Sequence, residues 1–317
     1  MSHNQPSQQS ESSVSLTHQD SEGRVKMVDV GHKEPTLRVA TAFSSIFAGE
    51  KALELLKSGT LAKGDAWAAS RVAAIMAAKK TADFIPLTHP IRLDSVRVDL
   101  FPLGKDRVGC FATARAFDRT GVEMEAMLAA TTAMLNMYDM VKGVDKGARL
   151  EQTMLVRKTG GKSGEWLAAT AQIGRVEKLA TSRGKGTPKD PCDEAVLKVN
   201  FGLESDAHGG DWHRQVSLLG VESIEKMRNK GLQVDFGSFA ENIATSGVCL
   251  YELPIGTLIW CENGVVMQVT QIGKECHTKC AVYYKAGDCV MPREGIFTIV
   301  LAGGPLKTGE PFVALKL

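Results

Sequence analysis

The stretch DAWAASRVAAIMAAKKT, residues Asp65–Thr81, decides the fold of the first half of the chain. It is rich in alanine and poor in β-branched residues, which predicts a helix. Upstream of it, Ala48–Gly59 predicts an amphipathic helix that ends at its glycine. Downstream, Val122–Val141 carries apolar residues at helical spacing and predicts a third helix.

Strand-like segments lie between and after these helices. Ser95–Phe101 (SVRVDLF) alternates in polarity, and Arg107–Ala116 (RVGCFATARA) is its expected partner. Gln152–Lys158 predicts a further strand, which runs into a glycine-rich loop. Helices mixed with strands in this way predict an α+β fold for the first half.

The pattern changes after Trp166. Short strand-like segments recur between turn residues, and only Ser217–Lys230 predicts a helix. The predicted strands are Ala171–Leu179, Ala195–Val199, Thr257–Cys261, Val265–Ile272 and Gly295–Leu301. This half is therefore expected to be mostly β, as a closed or rolled sheet. We divide the chain into a disordered tail at 1–26, a first domain at 27–166 and a second domain at 168–317.

Composition excludes several classes of protein. The chain has 317 residues, 44% hydrophobic and 23% charged, which suits two globular domains. Lys and Arg (38) nearly balance Asp and Glu (36), so no basic footprint for nucleic acid is present. No apolar run approaches the ~18–20 residues that a membrane span needs. The tail lacks a secretory signal and the seven cysteines are odd in number, so we expect reduced thiols in the cytoplasm.

The loop Lys158–Gly164 (KTGGKSG) is basic and rich in glycine. Glycines let backbone N–H groups approach phosphate oxygens, and lysines add positive charge. A Walker A loop would need glycine at position 156, which is valine here, so this is not a P-loop. The loop either holds a polyphosphate or is a flexible connection with solvated lysines.

Charged residues cluster on the third predicted helix. Asp139 and Lys142 share a helical face. A buried carboxylate beside an ammonium would form an acid/base pair, with the lysine pKa lowered by burial. The alternative is a surface ion pair. Glu123 and Glu125 would serve catalysis or, alternatively, favour the positive end of the helix dipole.

Two further candidates lie in loops. His89 stands between two prolines in PLTHP, where an extended loop would present its imidazole. Lys63 precedes the helix that Asp65 is expected to cap. The alternatives are a solvent-facing histidine and a lysine in an ordinary turn.

Together, in this order, these motifs resemble one family. KGDAWAASRVAAIMAAKKT, IPLTHP, TGVEMEA, MYDMVKG and KTGGKSG, with MVDV at the start, are similar to the cyclic pyranopterin monophosphate synthases (MoaC). The resemblance covers about 27–165. It implies a ferredoxin-like α+β subunit in a hexamer, with active sites between subunits. Its implied substrate is 3′,8-cyclo-7,8-dihydro-GTP, which is rebuilt into a cyclic pyranopterin monophosphate with loss of pyrophosphate.

The resemblance also implies roles for individual residues. The catalytic lysine, the histidine and the acidic residues of the family fall on Lys63, His89, Glu123, Glu125 and Asp139. Its further lysines fall on Lys142 and Lys158, while Lys162, Gly160 and Gly161 complete the loop. We expect Asp139 and Lys142 to transfer protons, and Lys63, His89 and Lys158 to contact the triphosphate. These groups should converge on one pocket, within a subunit or across a subunit contact.

Two details qualify this expectation. Members of the family have Cys where Thr88 stands here, which predicts altered packing beside His89 rather than loss of activity. Mg²⁺ would assist the leaving group, but no cluster of ligands in the sequence demands it, and we predict no required cofactor.

The densest cluster of the second half is GKECHTKC, residues Gly273–Cys280. Zinc is one interpretation, but three residues separate the cysteines and no second pair exists. A reactive thiol at Cys276 is another, because flanking Lys and His side chains would lower its pKa. A buried, unreactive thiol is the third.

In sequence order, GLESDAHGGDWHRQVSLL, GSFAENI, LPIGTLI, QIGKECHTKC and GIFTIVLAGG resemble a MOSC domain over about 168–317. That family is β-rich and barrel-like, and the resemblance implies a molybdopterin-type ligand and, in some members, sulfur carried on a cysteine. The family cysteine falls on Cys276, with Cys280 as the competing placement. Arg214, Glu241 and Asn242 are candidate ligand contacts.

The sequence thus predicts a fusion of two modules of molybdenum cofactor metabolism. The small-molecule partner would be a nucleotide or pterin. Two rivals remain at this point: a non-enzymatic scaffold that stores or delivers the cofactor, and a different nucleotide hydrolase that uses the same lysine loop.

Overall fold

A computed structural model of the chain describes residues 22–184, 187–274, 287 and 289–317. The predicted tail therefore lies almost wholly outside the described residues. Two sheets organise the rest: an open one in the first half and a closed one in the second. Across the described residues, every helix is too short or too polar to cross a bilayer.

The open sheet has five antiparallel strands in the order β2-β3-β1-β4-β5. The strands are β1 (Thr36–Phe47), β2 (Ser95–Leu103), β3 (Arg107–Asp118), β4 (Arg149–Thr159) and β5 (Trp166–Leu167). With its helices, the first half runs βαββαβ along the chain before β5 is added. This order and connection are those of a ferredoxin-like fold, as the family resemblance implies.

Helices cover one face of the open sheet. They are α1 (Glu50–Ser58), α2 (Ala66–Ala78), α3 (Thr81–Phe84) and α4 (Glu123–Val141). Helix α1 ends at Gly59, whose φ of 68° suits a residue without a side chain. Asp65 caps α2 by accepting a hydrogen bond from the amide of Ala68 at 2.9 Å, as predicted.

Successive side chains of the open sheet point to opposite faces, and each face packs into a different core. Even-numbered positions of β1, such as Ala40, Ala42 and Ile46, are buried with the alanine-rich faces of α2 and α4. Odd-numbered positions bring Phe43 of β1 and Phe111 of β3 to the opposite face. Small residues on the first face let the helices pack closely, and aromatic residues on the second bury a larger area.

The second half is a seven-stranded barrel, closed where β6 pairs with β11. Its strands are β6 (Ala171–Thr181), β10 (Val216–Gly220), β11 (Ile243–Ser246), β12 (Leu258–Cys261), β13 (Val266–Ile272), β14 (Ile296–Ala302) and β16 (Pro311–Leu315). Shorter strands lie outside it at β7 (Asp190–Cys192), β8 (Glu194–Lys198), β9 (Gly202–Leu203) and β15 (Gly304–Lys307). The predicted closed β architecture is confirmed.

Part of the secondary-structure prediction was wrong. Ser217–Lys230 is not one helix: Val216–Gly220 is the fully buried strand β10, and helix α5 begins at Val221 and ends at Asn229. A fully buried strand lacks the polar alternation that marks an exposed one, so its apolar run merged with the helix pattern. The remaining helix of the barrel, α6, is Met291–Glu294.

The two halves share a core. Trp260 of β12 is 1% exposed and stacks on Phe111, with ring centroids 5.3 Å apart. Its indole N–H donates to Asp99 of β2 at 3.3 Å. At the edge of this contact, Arg157 of β4 donates to Glu262 at 2.6 Å. Apolar burial therefore holds the barrel to the helix-free face of the open sheet.

Strand β4 contains a bulge where it pairs with β1. Thr41 pairs with Arg157 and Ala42 pairs with Leu155, so Val156 is the extra residue. Val156 packs in the core shared with the barrel, and Arg157 also points to that side. A bulge of this kind re-aims the side chains that follow it, and Lys158 consequently returns to the helix side.

Candidate functional site

Asp139, in the last turn of α4, is held between two lysines. Its Oδ2 atom lies 3.0 Å from Nζ of Lys63, and its Oδ1 atom lies 2.6 Å from Nζ of Lys142. Lys63 reaches it from the turn before α2, because α2 packs along α4. The three side chains are about half exposed. The structure thus joins three residues that the sequence put in one site.

In the single chain, Asp139 and Lys142 form the surface ion pair that the sequence left as one alternative, and the buried acid/base pair with a lowered lysine pKa was wrong. Hydrogen bonds from Lys142 and then from Lys63 lower the pKa of Asp139, and the bond to Asp139 raises the pKa of Lys142. Burial was expected to lower the lysine pKa, but neither group is desolvated here, so attraction between opposite charges decides. Asp139 and Lys142 are both ionised at neutral pH.

The other end of α4 borders a cavity of about 480 Å³. Four predicted site residues line it, namely Thr88, His89, Glu123 and Glu125. Nε2 of His89 lies 2.9 Å from the backbone oxygen of Val28, and the Thr88 hydroxyl donates to the Ile85 carbonyl at 2.8 Å. The loop thus holds its histidine against the segment that leads into β1.

Lys158 of strand β4 forms an ion pair with Glu123 of α4, which lines this cavity. Its Nζ lies 3.0 Å from Oε1 of Glu123 and donates to the Ser163 hydroxyl at 3.2 Å. The Glu123 carboxylate folds back over Gly121, where an added Cβ would lie 1.8 Å from Oε2. A glycine at 121 therefore leaves room for the ion pair.

The glycine-rich loop follows Lys158 directly. Gly160 has φ +96°, and an added Cβ would lie 2.0 Å from the backbone oxygen of Leu37. Gly161 has φ +75° and packs against the guanidinium of Arg38. Lys162 is exposed at the tip. Since both glycines adopt conformations that side chains disfavour, the loop depends on them for its shape.

Glu125 is the buried acid of this group, with 3% of its surface exposed. Burial raises its pKa to about 7, its own backbone amide opposes that shift, and the charges of Glu123 and Asp118 add to it. A carboxyl group with a pKa near neutrality can both accept and donate a proton at physiological pH.

The two groups of side chains lie at opposite ends of one helix. About 16 residues separate Glu123 from Asp139, which is roughly 24 Å at the rise of an α-helix. Within one chain, therefore, the lysine-bound Asp139 and the cavity beside Glu125 do not meet. The expected single pocket would have to form across a subunit contact.

Lys33 is a cavity residue that sequence reasoning missed. It follows the Met27–Val30 segment by three positions, but nothing in its immediate sequence distinguishes it from a surface lysine. Its position depends on the contact between Val28 and His89, which joins residues far apart in the chain.

In the second half, Cys276 and Cys280 lie outside the described residues. Among the described cysteines, burial raises the pKa of the Cys110 and Cys261 thiols. Burial also raises the pKa of Cys192. These three thiols are therefore poor nucleophiles.

Glu241 and Asn242 are buried in a polar network beside the barrel. The carboxylate of Glu241 accepts hydrogen bonds from the amides of Gly237 at 2.5 Å and Phe239 at 3.1 Å. The side-chain amide of Asn242 donates to Asp206 at 3.0 Å. In the described structure Glu241 thus binds its own loop, and Asn242 binds neighbouring segments of the same domain.

The same network contains a buried ion pair. Nζ of Lys189 lies 2.6 Å from Oδ2 of Asp206, with 2% and 3% of the two side chains exposed. Asp206 also accepts from the amide of Ser182 at 3.1 Å and lies 3.2 Å from Nδ1 of His208. Lys189 lies 17 residues before Asp206 and outside the motifs quoted from the sequence, which gave no sign of this pair.

Arg214 differs from its neighbours in this region. Its guanidinium carbon lies 4.8 Å from the ring centre of Trp212 and 5.6 Å from that of Phe297. Its Nε atom is buried and finds no hydrogen-bond partner among the described residues. It is the only one of the three candidate ligand contacts in this half with such an unsatisfied donor.

Comparison with known proteins gives this geometry its context. The profile of the MoaC family matches residues 27–161. The first half is 52% identical, over 154 residues, to the cyclic pyranopterin monophosphate synthase of Novosphingobium aromaticivorans, covering 98% of that protein and 49% of this chain. The chain belongs to the MoaC family. Membership places it in molybdenum cofactor biosynthesis, among enzymes that act on small molecules.

Other relatives of this MoaC-family chain are also covered over most of their length. Cyclic pyranopterin monophosphate synthase 1 of Mycobacterium tuberculosis is 44% identical over 160 residues, which are 94% of that protein and 50% of this chain. The synthase of Streptomyces coelicolor is 48% identical over 151 residues, which are 88% of that protein and 48% of this chain. All three relatives match about half of this chain.

The other half carries a second family match. The MOSC domain profile matches residues 204–311, within the closed barrel and its flanking strands. Among solved structures, the YuaD protein from Bacillus subtilis aligns with 46% of this chain and 98% of its own, at 18% identity and a TM-score of 0.40. The two family profiles, at 27–161 and 204–311, match inside the two domains predicted from the sequence. The exact limits of those domains stay predictions.

Proposed function

We propose that the first half converts 3′,8-cyclo-7,8-dihydro-GTP into cyclic pyranopterin monophosphate and releases pyrophosphate. The observation that carries this proposal is the carboxylate of Asp139 bound by Lys63 and Lys142, at 3.0 and 2.6 Å. It is supported by a relative named for this product that is 52% identical over 98% of its length.

The lysines supply the charge that this substrate requires. Lys63 and Lys142 at one end of α4, and Lys158 with His89 at the other, offset the charge of a triphosphate and of a departing pyrophosphate. Asp139 holds its two lysines in place while it stays ionised. Substrate phosphates would compete with Asp139 for these ammonium groups.

Glu125 is our candidate for the proton transfers that ring opening and closure demand. Its pKa of about 7 suits a group that takes and returns a proton at neutral pH. Asp139, which the sequence favoured for this role, would act as a base only where a neighbouring subunit changes its surroundings.

We further propose that the active site is completed by a second copy of the chain. The two ends of α4 are roughly 24 Å apart, whereas proton transfer needs contact at about 3 Å. A symmetric dimer can bring the Lys63 end of one copy to the Glu125 end of the other. The hexamer implied by the family resemblance would contain such pairs.

Product formation from the cyclised nucleotide tests this function. The purified full chain should form the pterin and release pyrophosphate, and Asp139→Asn should slow turnover at least ~100-fold, as loss of a charged catalytic contact does. Asp83→Asn, an exposed carboxylate on α3, is the matched control and should keep turnover within about twofold. Absence of turnover in the wild type would refute the proposal and favour the cofactor scaffold.

For the second half, we propose that the MOSC module binds an anionic pterin-type cofactor through Arg214. This proposal rests on the Nε atom of Arg214, which is buried without a hydrogen-bond partner among the described residues, and on the stacking of the Arg214 guanidinium over Trp212. Such a cofactor would bring the redox or sulfur chemistry, while the chain orients its charged group. Glu241 would position the loop rather than touch the ligand, because backbone amides bind both of its oxygens.

The sulfur-carrier hypothesis concerns Cys276, with Cys280 as the alternative. We expect Cys276 to alkylate before the other six cysteines, since flanking lysines and a histidine favour its thiolate. Faster reaction at Cys280 would move the assignment there. No rapid reaction at either would remove sulfur transfer from the proposal.

A further inference from the structure

Two rows of side chains cross the open sheet on the face that the barrel covers. Strand register places Arg97, Thr113, Thr41 and Arg157 side by side in one row. The row beyond it contains Ser95, Arg115, Val39 and Thr159. Neighbouring strands are about 4.8 Å apart, so the first row forms a continuous ladder of polar groups, and the second row is polar except at Val39.

These rows form the floor of a cavity of about 340 Å³ between the two halves. Trp260 and Glu262 of the barrel form its wall, and Leu37 lies at its rim. The next row inward is the aromatic core around Phe111. The sheet face therefore changes from apolar to cationic where the barrel ends.

Two of the three arginines in the cavity are fixed by acidic partners. Nε of Arg157 donates to Glu165 at 2.7 Å and its Nη1 donates to Glu262 at 2.6 Å. Arg97 donates to Asp99 at 2.8 Å and to the backbone oxygen of Asn263. Their guanidinium groups are thus held before any ligand arrives, which lowers the entropy cost of binding.

Arg115 lies in the row beyond these two and has no such partner. Its side chain makes no hydrogen bond or ion pair with any residue in the described ranges. The hydroxyl groups of Thr41 and Thr113 lie 2.9 Å apart on the floor beside it. The cavity therefore offers one uncompensated positive charge together with hydroxyl donors.

We propose that this junction cavity is a binding site for a small phosphate-bearing anion. A guanidinium carries five N–H donors in a planar fork. The Thr41–Thr113 pair adds one hydroxyl donor, because one hydroxyl of the pair donates to the other. That number exceeds what the two oxygens of a carboxylate can accept and suits the oxygens of a phosphate. Arginine stays charged at physiological pH, so the site keeps its charge.

The site is distinct from the proposed active site. Lys158 points to the helix side of β4 and pairs with Glu123, whereas Arg157 and Thr159 line the cavity on the other side. It also exists only because the two modules are joined, since Trp260 and Glu262 come from the barrel. The inference therefore stands whether or not the first half is a synthase.

Calorimetric titration of the full chain with pyrophosphate and with inorganic phosphate tests the proposal, at about 0.05 M salt to limit screening. Arg115→Gln should weaken binding about tenfold, equivalent to about 1.4 kcal/mol. The control is Arg149→Gln on β4, which should bind like the wild type. Arg149 pairs with Phe47 of β1 and Arg115 pairs with Val39, so the two arginines lie eight residues apart along the sheet, roughly 27 Å at 3.4 Å per residue. Malonate should bind less tightly than pyrophosphate.

A double variant, Lys63→Ala with Lys158→Gln, separates this site from the proposed catalytic one and should retain the Arg115-dependent binding. Unchanged affinity in Arg115→Gln, loss of all binding in the double variant, or tighter binding of malonate would each overturn the proposal. Turnover is measured in parallel. A wild type that binds pyrophosphate but turns over no substrate would refute the synthase and leave this site standing.

Discussion

The ring of Trp260 lies 5.3 Å from that of Phe111, centroid to centroid, with an angle of 24° between their planes. One residue belongs to the barrel and the other to the open sheet. Phe43 and Phe101 extend the stack on the sheet side, at 5.1 and 5.8 Å from Phe111. The two modules are consequently expected to unfold together rather than independently.

Replacing Trp260 with alanine tests this coupling. Removal of a fully buried tryptophan costs about 3–5 kcal/mol, so Trp260→Ala should lower the stability of both halves. Trp212→Ala is the control, because Trp212 is 39% exposed and its loss should cost about 1 kcal/mol. Denaturant unfolding followed by circular dichroism measures both. Equal losses in the two variants would show that the aromatic contact contributes little.

Mixing two inactive variants tests the shared active site. Asp139→Asn damages one end of α4 and Glu125→Gln damages the other. In co-purified mixed assemblies, random pairing should leave about a quarter of the sites with both ends intact. Turnover should then recover to about that fraction of the wild-type rate. Turnover no higher than the sum of the two variants would mean that each site lies within one chain.

Glu125 should make stability fall as pH rises. Its pKa is about 7 in the folded chain against an ordinary 4.5. The stability that it contributes is therefore complete below about pH 4.5 and lost as pH rises through 7. Relative to Glu125→Gln, the wild type should lose on the order of 3 kcal/mol between pH 4.5 and 8. Urea unfolding measures the stability of both proteins as a function of pH. The same pH dependence for the wild type and Glu125→Gln would contradict the raised pKa of Glu125.

The shape of the glycine-rich loop should depend more on Gly160 than on Gly164. Both have positive φ, but a Cβ at 160 would meet the Leu37 carbonyl at 2.0 Å, whereas nothing lies within 4 Å of one at 164. Gly164→Ala should cost about 1–2 kcal/mol from the dihedral alone. Gly160→Ala should cost about 3 kcal/mol or more, because the backbone must also move. Thermal unfolding compares them, and a smaller loss for Gly160→Ala would be inconsistent with the packed loop.

The buried ion pair beside the barrel should be sensitive to the loss of one partner. Lys189→Met leaves Asp206 charged and buried, which should cost about 3–5 kcal/mol. Lys178→Met breaks the exposed pair with Asp193, where 81% of the carboxylate side chain is accessible, and should cost under about 1 kcal/mol. Chemical denaturation of both variants provides the measurement. Similar denaturation midpoints for Lys189→Met and Lys178→Met would indicate that water reaches the Asp206 carboxylate.

Local patterns predicted the first-half helices well because composition alone favours them. Alanine-rich α2 is helical by intrinsic propensity, and its cap Asp65 follows from local chemistry. Strand β1 was missed, since TLRVATAFSSIF has small residues on one face and aromatic ones on the other. Such a strand buries both faces and loses the polar alternation by which strands are recognised.

The motifs supplied the candidate site residues but not their separation. Asp139 and Glu125 belong to one helix, α4. Motifs that follow each other in the sequence therefore lie at opposite ends of that helix. The pKa of Lys142 was mispredicted because exposure depends on tertiary packing. Lys33 and the junction cavity could not be predicted at all, since both depend on contacts between distant segments.

The extra residue at Val156 has a wider consequence. It sets the phase of the pleat for Arg157, Lys158 and Thr159, which alternate between the barrel side and the helix side. Straightening the bulge with Val156 retained would shift the register by one residue and invert all three, sending the lysine toward the barrel and the arginine toward the helices. Substitution can therefore change either surface by itself, but loss of the bulge without loss of a residue would exchange the chemistry of both surfaces at once.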